Sequence, residues 1–125
     1  MSDSLPQQDL DLSFLNEIAD GSNEFIIESI DMLLQQAPEL LEVMGKGINA
    51  GDWPSVAASA HKLKPSLGFF GMLNSQGLVQ EIEILSKAGG QDCSQISEKF
   101  KQASEIISDT LNELVRVKAE KEAEL

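Results

Sequence analysis

The stretch Ser59-Ala60-His61-Lys62-Leu63-Lys64-Pro65-Ser66-Leu67-Gly68-Phe69-Phe70-Gly71-Met72 decides how the rest of the chain is interpreted. It holds the sole histidine of the sequence. At about 100° per residue, a helix gathers the apolar residues of this region on one stripe, formed by Val56, Ala60, Leu63, Leu67 and Phe70. His61 lies roughly 130° from the middle of that stripe. The pattern therefore predicts a helix that carries an exposed imidazole.

The residues predicted on the same side as the histidine are small or basic, namely Ala57, Lys64 and Gly68, with Gly71 at the edge. A glycine inside a helix costs about 1 kcal/mol relative to alanine. We therefore expect another reason for the two glycines, the simplest being close approach of another surface. The alternative is that the glycines end the helix early and that His61 is an ordinary surface histidine.

The segment from Ala60 to Gly71 resembles the signature of the histidine-containing phosphotransfer (HPt) domain family. That signature has a histidine, a lysine three residues later, and glycines seven and ten residues after the histidine, which His61, Lys64, Gly68 and Gly71 match. Pro65 departs from the commoner glycine, at a position where the family tolerates variation. The resemblance implies a helical bundle over roughly residues 10–118.

The hydrophobic pattern independently predicts an all-α fold, because no segment shows sustained alternation with a period of two. We expect an antiparallel four-helix bundle with a short additional N-terminal helix over residues 11–20, with Leu12 and Leu15 on its apolar side and Ile18 as a further candidate. The predicted regions are a flexible tail over residues 1–9, the bundle over 10–118, and a fraying or projecting helix end over 119–125.

Polar residues before apolar runs predict where the helices begin. We expect Ser22, Asp52 and Asp92 to cap the second, third and last helices, and either Asn74 or Ser75 to cap the fourth. Two prolines, Pro38 and Pro65, fall inside predicted helices, where we expect kinks rather than stops because the apolar pattern continues past them.

Composition excludes several classes of function. A formal charge of −12 argues against nucleic acid and against anionic membranes as partners. Neither a membrane span nor a signal peptide is expected, and the single Cys93 fits a reducing cytoplasm. The acidic surface favours a monomer. Lys46 is the one basic residue before His61, whereas Lys62 and Lys64 flank it, so the field at the histidine is less negative than elsewhere.

A histidine that accepts a phosphoryl group must be exposed, neutral at one ring nitrogen and held through the other. Lys64, one turn from His61, can offset charge on the incoming phosphoryl oxygens. By alignment on the motif, Glu83 takes the place of a glutamate that is hydrogen-bonded to the histidine in the phosphotransfer domain of the chemotaxis kinase. Gln80 is the competing candidate, because other members use a glutamine there. A solvated Glu83 is the remaining alternative.

The resemblance implies a phosphocarrier rather than an enzyme with its own ATP site. In a two-component phosphorelay, His61 would accept a phosphoryl group from, and donate it to, aspartates of response-regulator receiver domains, or accept it from a sensor histidine kinase. We expect no metal or cofactor on the chain itself and Mg²⁺ on the receiver. The alternative is a helical module that docks such proteins without carrying phosphate. The residues expected to contact a partner are Ala57, Lys62, Pro65, Gly68, Gly71 and Met72.

Overall fold

A computed structural model describes residues 9–125, which form five α-helices joined by short turns. These are α1 (Ser13–Ala19), α2 (Asn23–Ala50), α3 (Trp53–Phe69), α4 (Leu73–Lys87) and α5 (Cys93–Ala123). The four long helices pack in the cyclic order α2, α3, α4, α5, and α1 packs against α2. Short connections make successive helices antiparallel. The predicted four-helix bundle with a short additional N-terminal helix is confirmed.

The core is built from the apolar stripes of the long helices. On α3 and the residue after it, the predicted stripe is almost completely inaccessible to solvent and consists of Val56, Ala60, Leu63, Leu67 and Phe70. The stripes of α2 and α5 face it with Ile26, Ile30, Leu33, Ala37 and Met44, and with Ile96, Ala103, Ile107 and Leu114. Pro38 and Pro65 lie inside continuous helices, so neither stops its helix. Helical periodicity therefore determines which face of each helix turns inward.

Three helices begin at the N-caps that the sequence predicts. In each, a side-chain oxygen accepts a hydrogen bond from the backbone N–H three residues later: Ser22 from Phe25 at 3.1 Å, Asp52 from Ser55 at 3.3 Å, and Asp92 from Gln95 at 3.1 Å. These bonds satisfy donors that the first turn of a helix otherwise leaves without partners.

The fourth helix is capped differently, and the prediction of Asn74 or Ser75 is wrong. Asp9 Oδ1 accepts from the backbone N–H of Asn74 at 2.9 Å. Its Oδ2 accepts from the backbone N–H of Ser75 at 2.8 Å and from the Ser75 hydroxyl at 2.7 Å. Asp9 is buried, so it does not belong to a flexible tail, while residues 1–8 of the predicted tail lie outside the described residues.

The two ends of the described chain compare differently with expectation. In α1, Leu15 and Ala19 are buried, but Ile18 is half exposed, because a helix of seven residues buries only one narrow stripe. At the other end α5 continues as a helix to Ala123, which matches the predicted alternative of a helix extension. Lys118 Nζ lies 2.6 Å from a carboxylate oxygen of Asp31, which ties this last part of α5 to α2. Among the described residues, no helix is long and apolar enough to cross a membrane.

We predict that Asp9→Ala destabilises the fold more than loss of a local cap does. The substitution removes three hydrogen bonds and leaves the buried Ser75 hydroxyl without its acceptor, so we expect the free energy of unfolding to fall by about 2 kcal/mol. Asp52→Ala, which removes one exposed capping bond, should cost about 1 kcal/mol. Urea unfolding followed by circular dichroism measures both. An Asp9→Ala loss no larger than that of Asp52→Ala would show that the N-terminal segment does not hold α4.

Candidate functional site

The imidazole of His61 stands on the outer face of α3. The residues beside it in sequence that point inward, Ala60 and Leu63, are fully buried. The His61 side chain itself keeps 68% of its surface accessible to solvent. The prediction of an exposed imidazole is therefore confirmed. The alternative that the glycines end the helix early holds only in part: Gly68 lies inside α3, whereas α3 ends at Phe69, and Gly71, with a φ of +66°, lies in the turn that follows.

Glu83 on α4 holds the inner nitrogen of this ring. Its Oε2 lies 2.9 Å from Nδ1 of His61, although its side chain is only 5% exposed. The predicted contact is confirmed, and the alternative of a solvated Glu83 is wrong. Gln80, the competing candidate, lies on the exposed side of α4. The exposed ring of His61 on α3 and the buried carboxylate of Glu83 on α4 thus join the two helices.

Two lysines neutralise the same carboxylate. Lys64 Nζ lies 2.8 Å from Oε1 of Glu83, and Lys87 Nζ lies 3.0 Å from Oε2. The prediction placed Lys64 beside the histidine but did not single out Lys87. The sequence did contain a signal for Lys87: it lies four residues after Glu83 on the same helix, and side chains at that spacing are neighbours.

These contacts keep Glu83 ionised. The ammonium group of Lys64 is the main cause that lowers the pKa of Glu83, from an ordinary 4.5 to about 2. Burial acts in the opposite direction, and Lys87 and His61 lower the pKa further. An ionised carboxylate has only acceptor atoms, so the ring nitrogen that faces it carries the hydrogen. In a neutral ring, this arrangement favours the tautomer with the proton on Nδ1 of His61 and the lone pair on Nε2.

An open depression adjoins the ring. It is lined by Pro54, Ala57, Ala58, His61, Lys62 and Lys87. Two residues of the predicted partner surface, Ala57 and Lys62, therefore lie beside the histidine. Ala57 is buried, and Lys62 is exposed at the rim. Pro65, also exposed, borders a separate groove between α2 and α3.

The space beside Gly68 is occupied by this chain itself. The side chain of Gln76 reaches across from α4, and its Nε2 donates to the backbone carbonyl of Lys64 at 3.0 Å. A Cβ on Gly68 would come within 2.5 Å of that nitrogen. The expectation that Gly68 leaves a bare patch for a partner is therefore corrected: the glycine makes room for a contact between α3 and α4.

Gly71 and Met72 also serve the fold. Gly71 has a φ of +66°, and a Cβ there would lie 2.3 Å from the backbone oxygen of Asp11. Met72 is fully buried in the core. Met72 therefore presents no surface to a partner, and the structure corrects that prediction, whereas Gly71 is partly exposed. The open approach to the ring lies instead on the side of Ala57 and Lys87.

Comparison with known families agrees with this geometry. The family model described as Hpt domain matches residues 28–119, about three quarters of the chain. The chain belongs to the Hpt domain family. Hpt domains take part in phosphotransfer in two-component signalling as phosphocarriers, and they interact with receiver domains and kinases. Neither the curated proteins nor the solved structures include a match.

The matched range locates the site within the Hpt domain. It contains α3 and α4 entirely, and with them His61, Lys64, Glu83 and Lys87. It excludes Asp9 and the whole of α1. The segment between them nevertheless contacts the turn that joins α3 and α4, because the backbone N–H of Asp11 donates to the carbonyl of Phe70 at 3.1 Å.

We predict that Gly68→Ala stabilises this Hpt domain less than Gly77→Ala does. Gly77 on α4 has open space around it, so Gly77→Ala should raise the free energy of unfolding by up to about 1 kcal/mol. At Gly68 the same gain is offset because Gln76 has to move. In a Gln76→Ala background the Gly68→Ala gain should return. Urea unfolding of the four variants tests this, and equal gains at Gly68 and Gly77 in the native background would contradict it.

We predict that Glu83 makes the Hpt domain sensitive to acid. Its pKa is lowered in the folded state, so its contribution to stability is complete above its ordinary value of 4.5 and is lost as the pH falls toward about 2. The difference corresponds to about 3 kcal/mol. Unfolding free energies measured between pH 2 and pH 6 should decline steeply for the wild type and less for Glu83→Gln. The exposed Glu105→Gln serves as the control. A wild-type profile parallel to that of Glu83→Gln would refute the prediction.

Proposed function

We propose that this Hpt domain carries a phosphoryl group on Nε2 of His61, accepting it from and returning it to an aspartate of a receiver domain. One observation supports the proposal above the others. The side chain of His61 is largely exposed, while its Nδ1 is held by a buried, ionised carboxylate. A histidine arranged in this way is oriented and is in the tautomer that a nucleophile at Nε2 requires.

The transfer step is an in-line displacement at phosphorus. The Nε2 lone pair of His61 forms the new N–P bond, the P–O bond of the aspartyl phosphate breaks, and the aspartate leaves as a carboxylate with the electron pair. The Nδ1 hydrogen stays in place, so the phosphorylated ring carries a positive charge. The ionised Glu83 lies 2.9 Å from that nitrogen and stabilises the charge as it develops.

We expect the partner protein, and not this chain, to supply the metal ion for the transfer. The Mg²⁺ that activates the acyl phosphate is proposed to lie on the receiver, and a sensor kinase is the other candidate donor. Because the bonds broken and formed are similar in kind, transfer runs in both directions and mass action sets the net flow. We further propose that the protein acts as a monomer in the cytoplasm.

The charge distribution favours an anionic donor at this face. The chain carries a formal charge of −12, yet Lys62, Lys64 and Lys87 surround the ring. A local positive field raises the encounter rate with an anionic group even when the net charge is negative. Ala57, Lys62 and Pro65, which are exposed or border open depressions, are the residues proposed to contact the partner.

The decisive experiment uses receiver domains of the same organism. Each receiver is phosphorylated with ³²P and incubated with wild-type protein and with His61→Gln. We expect acid-labile, alkali-stable label on the wild type and none on the variant, whose circular dichroism should match the wild type because His61 is exposed. If the wild type binds a receiver but takes no label from any of them, the chain is a docking module and the phosphocarrier proposal is wrong.

A further inference from the structure

The two lysines on Glu83 are not equivalent. Lys64 is one quarter exposed, lies on the same helix as His61 and does not line the depression beside the ring. Lys87 is 63% exposed, lies on α4 and lines that depression together with His61. Of these two lysines, Lys64 is therefore the more enclosed, and Lys87 faces the space beside the ring.

The two carboxylate oxygens also depend on their lysines differently. Oε1 of Glu83 is buried and, among the described residues, Lys64 is the one group that neutralises it. Withdrawing Lys64 would leave a buried charged oxygen without a partner, which is strongly unfavourable. Oε2 is shared between Lys87 and Nδ1 of His61. If Lys87 leaves, Oε2 keeps its hydrogen bond to the histidine.

A phosphoryl group on His61 needs a nearby cation, and the two lysines differ in whether they can supply it. A phosphoryl group adds up to about two negative charges at an exposed site. Of the two lysines on Glu83, the one that can turn toward the phosphoryl group without exposing the buried carboxylate is the one with a solvated side chain and a replaceable contact. By these criteria Lys87 is available and Lys64 is not.

We propose that Lys87 is the lysine that binds the phosphoryl group on His61, while Lys64 stays on Glu83 and positions that carboxylate. In the unphosphorylated protein the Lys87 ammonium rests on Oε2; when the phosphoryl group arrives, it moves to the phosphoryl oxygens. This inference rests on the proposed function and reassigns the charge-stabilising role that the sequence pattern indicates for Lys64.

The test compares four variants with a small donor and with a receiver. Lys87→Met removes the proposed contact, and Lys87→Arg retains a cation. Lys64→Met removes the proposed positioning residue. Lys46→Met is the matched control, because Lys46 also pairs with a glutamate four residues away on its own helix, Glu42, but does not line the depression. Phosphoramidate is the small donor, so that loading of His61 does not depend on docking of a protein.

We expect Lys87→Met to slow loading from phosphoramidate and transfer from the phosphorylated receiver by about tenfold, Lys87→Arg to restore most of the rate, and Lys46→Met to match the wild type. The ¹⁵N spectrum of the unphosphorylated ring should show the proton on Nδ1 in Lys87→Met as in the wild type. Lys64→Met should alter that spectrum, because Glu83 loses the partner of its Oε1.

Two results would overturn the inference while leaving the proposed function intact: wild-type rates in Lys87→Met, or a displaced Nδ1 proton in Lys87→Met equal to that in Lys64→Met. The first would mean that Lys87 does not touch the phosphoryl group, and the second that Lys87 only positions Glu83. Failure of the wild type to take phosphate from either donor would instead refute the proposed function, and this inference with it.

Discussion

The carboxylate of Glu83 is the interaction on which the site depends. It is buried at the contact between α3 and α4, where an unpaired charge would be strongly destabilising. Lys64, Lys87 and the Nδ1–H of His61 together satisfy it. The same contacts therefore stabilise the helix pair, fix the orientation of the imidazole and determine which ring nitrogen is free. The stability of the helix pair and the orientation of the ring are linked here through one ionised group.

The frame around this carboxylate keeps the exposed ring in place. The inner face of α3 is packed into the core, so the helix cannot rotate without exposing residues such as Leu63 and Leu67. Gln76 bridges from α4 to the backbone of α3 across Gly68, and Asp9 fixes the start of α4. A reactive side chain carried on rigid helices is held more precisely than one on a loop. The histidine is exposed to solvent, while the carboxylate of Glu83 that orients it is buried.

Local rules were enough to predict most of the fold, and the resemblance supplied the candidate site. The apolar periodicity identified the buried stripe of α3, and side-chain capping identified the starts at Ser22, Asp52 and Asp92, because both depend on residues within one or two turns. The cap of α4 was missed because Asp9 lies 65 positions away from Asn74 in the chain. Gly68 was assigned to a partner for a similar reason: helical spacing shows which face a glycine occupies, but not that Gln76 from another helix fills the space.

The most direct test of the central claim is the ¹⁵N and ³¹P spectrum of the protein phosphorylated by a receiver, with its histidine labelled in the ring. The account predicts a one-bond coupling between phosphorus and Nε2 of His61, with the hydrogen on Nδ1 retained in contact with Glu83. A one-bond coupling of phosphorus to Nδ1 would contradict it, because that nitrogen could then no longer donate to the carboxylate on which the site is built.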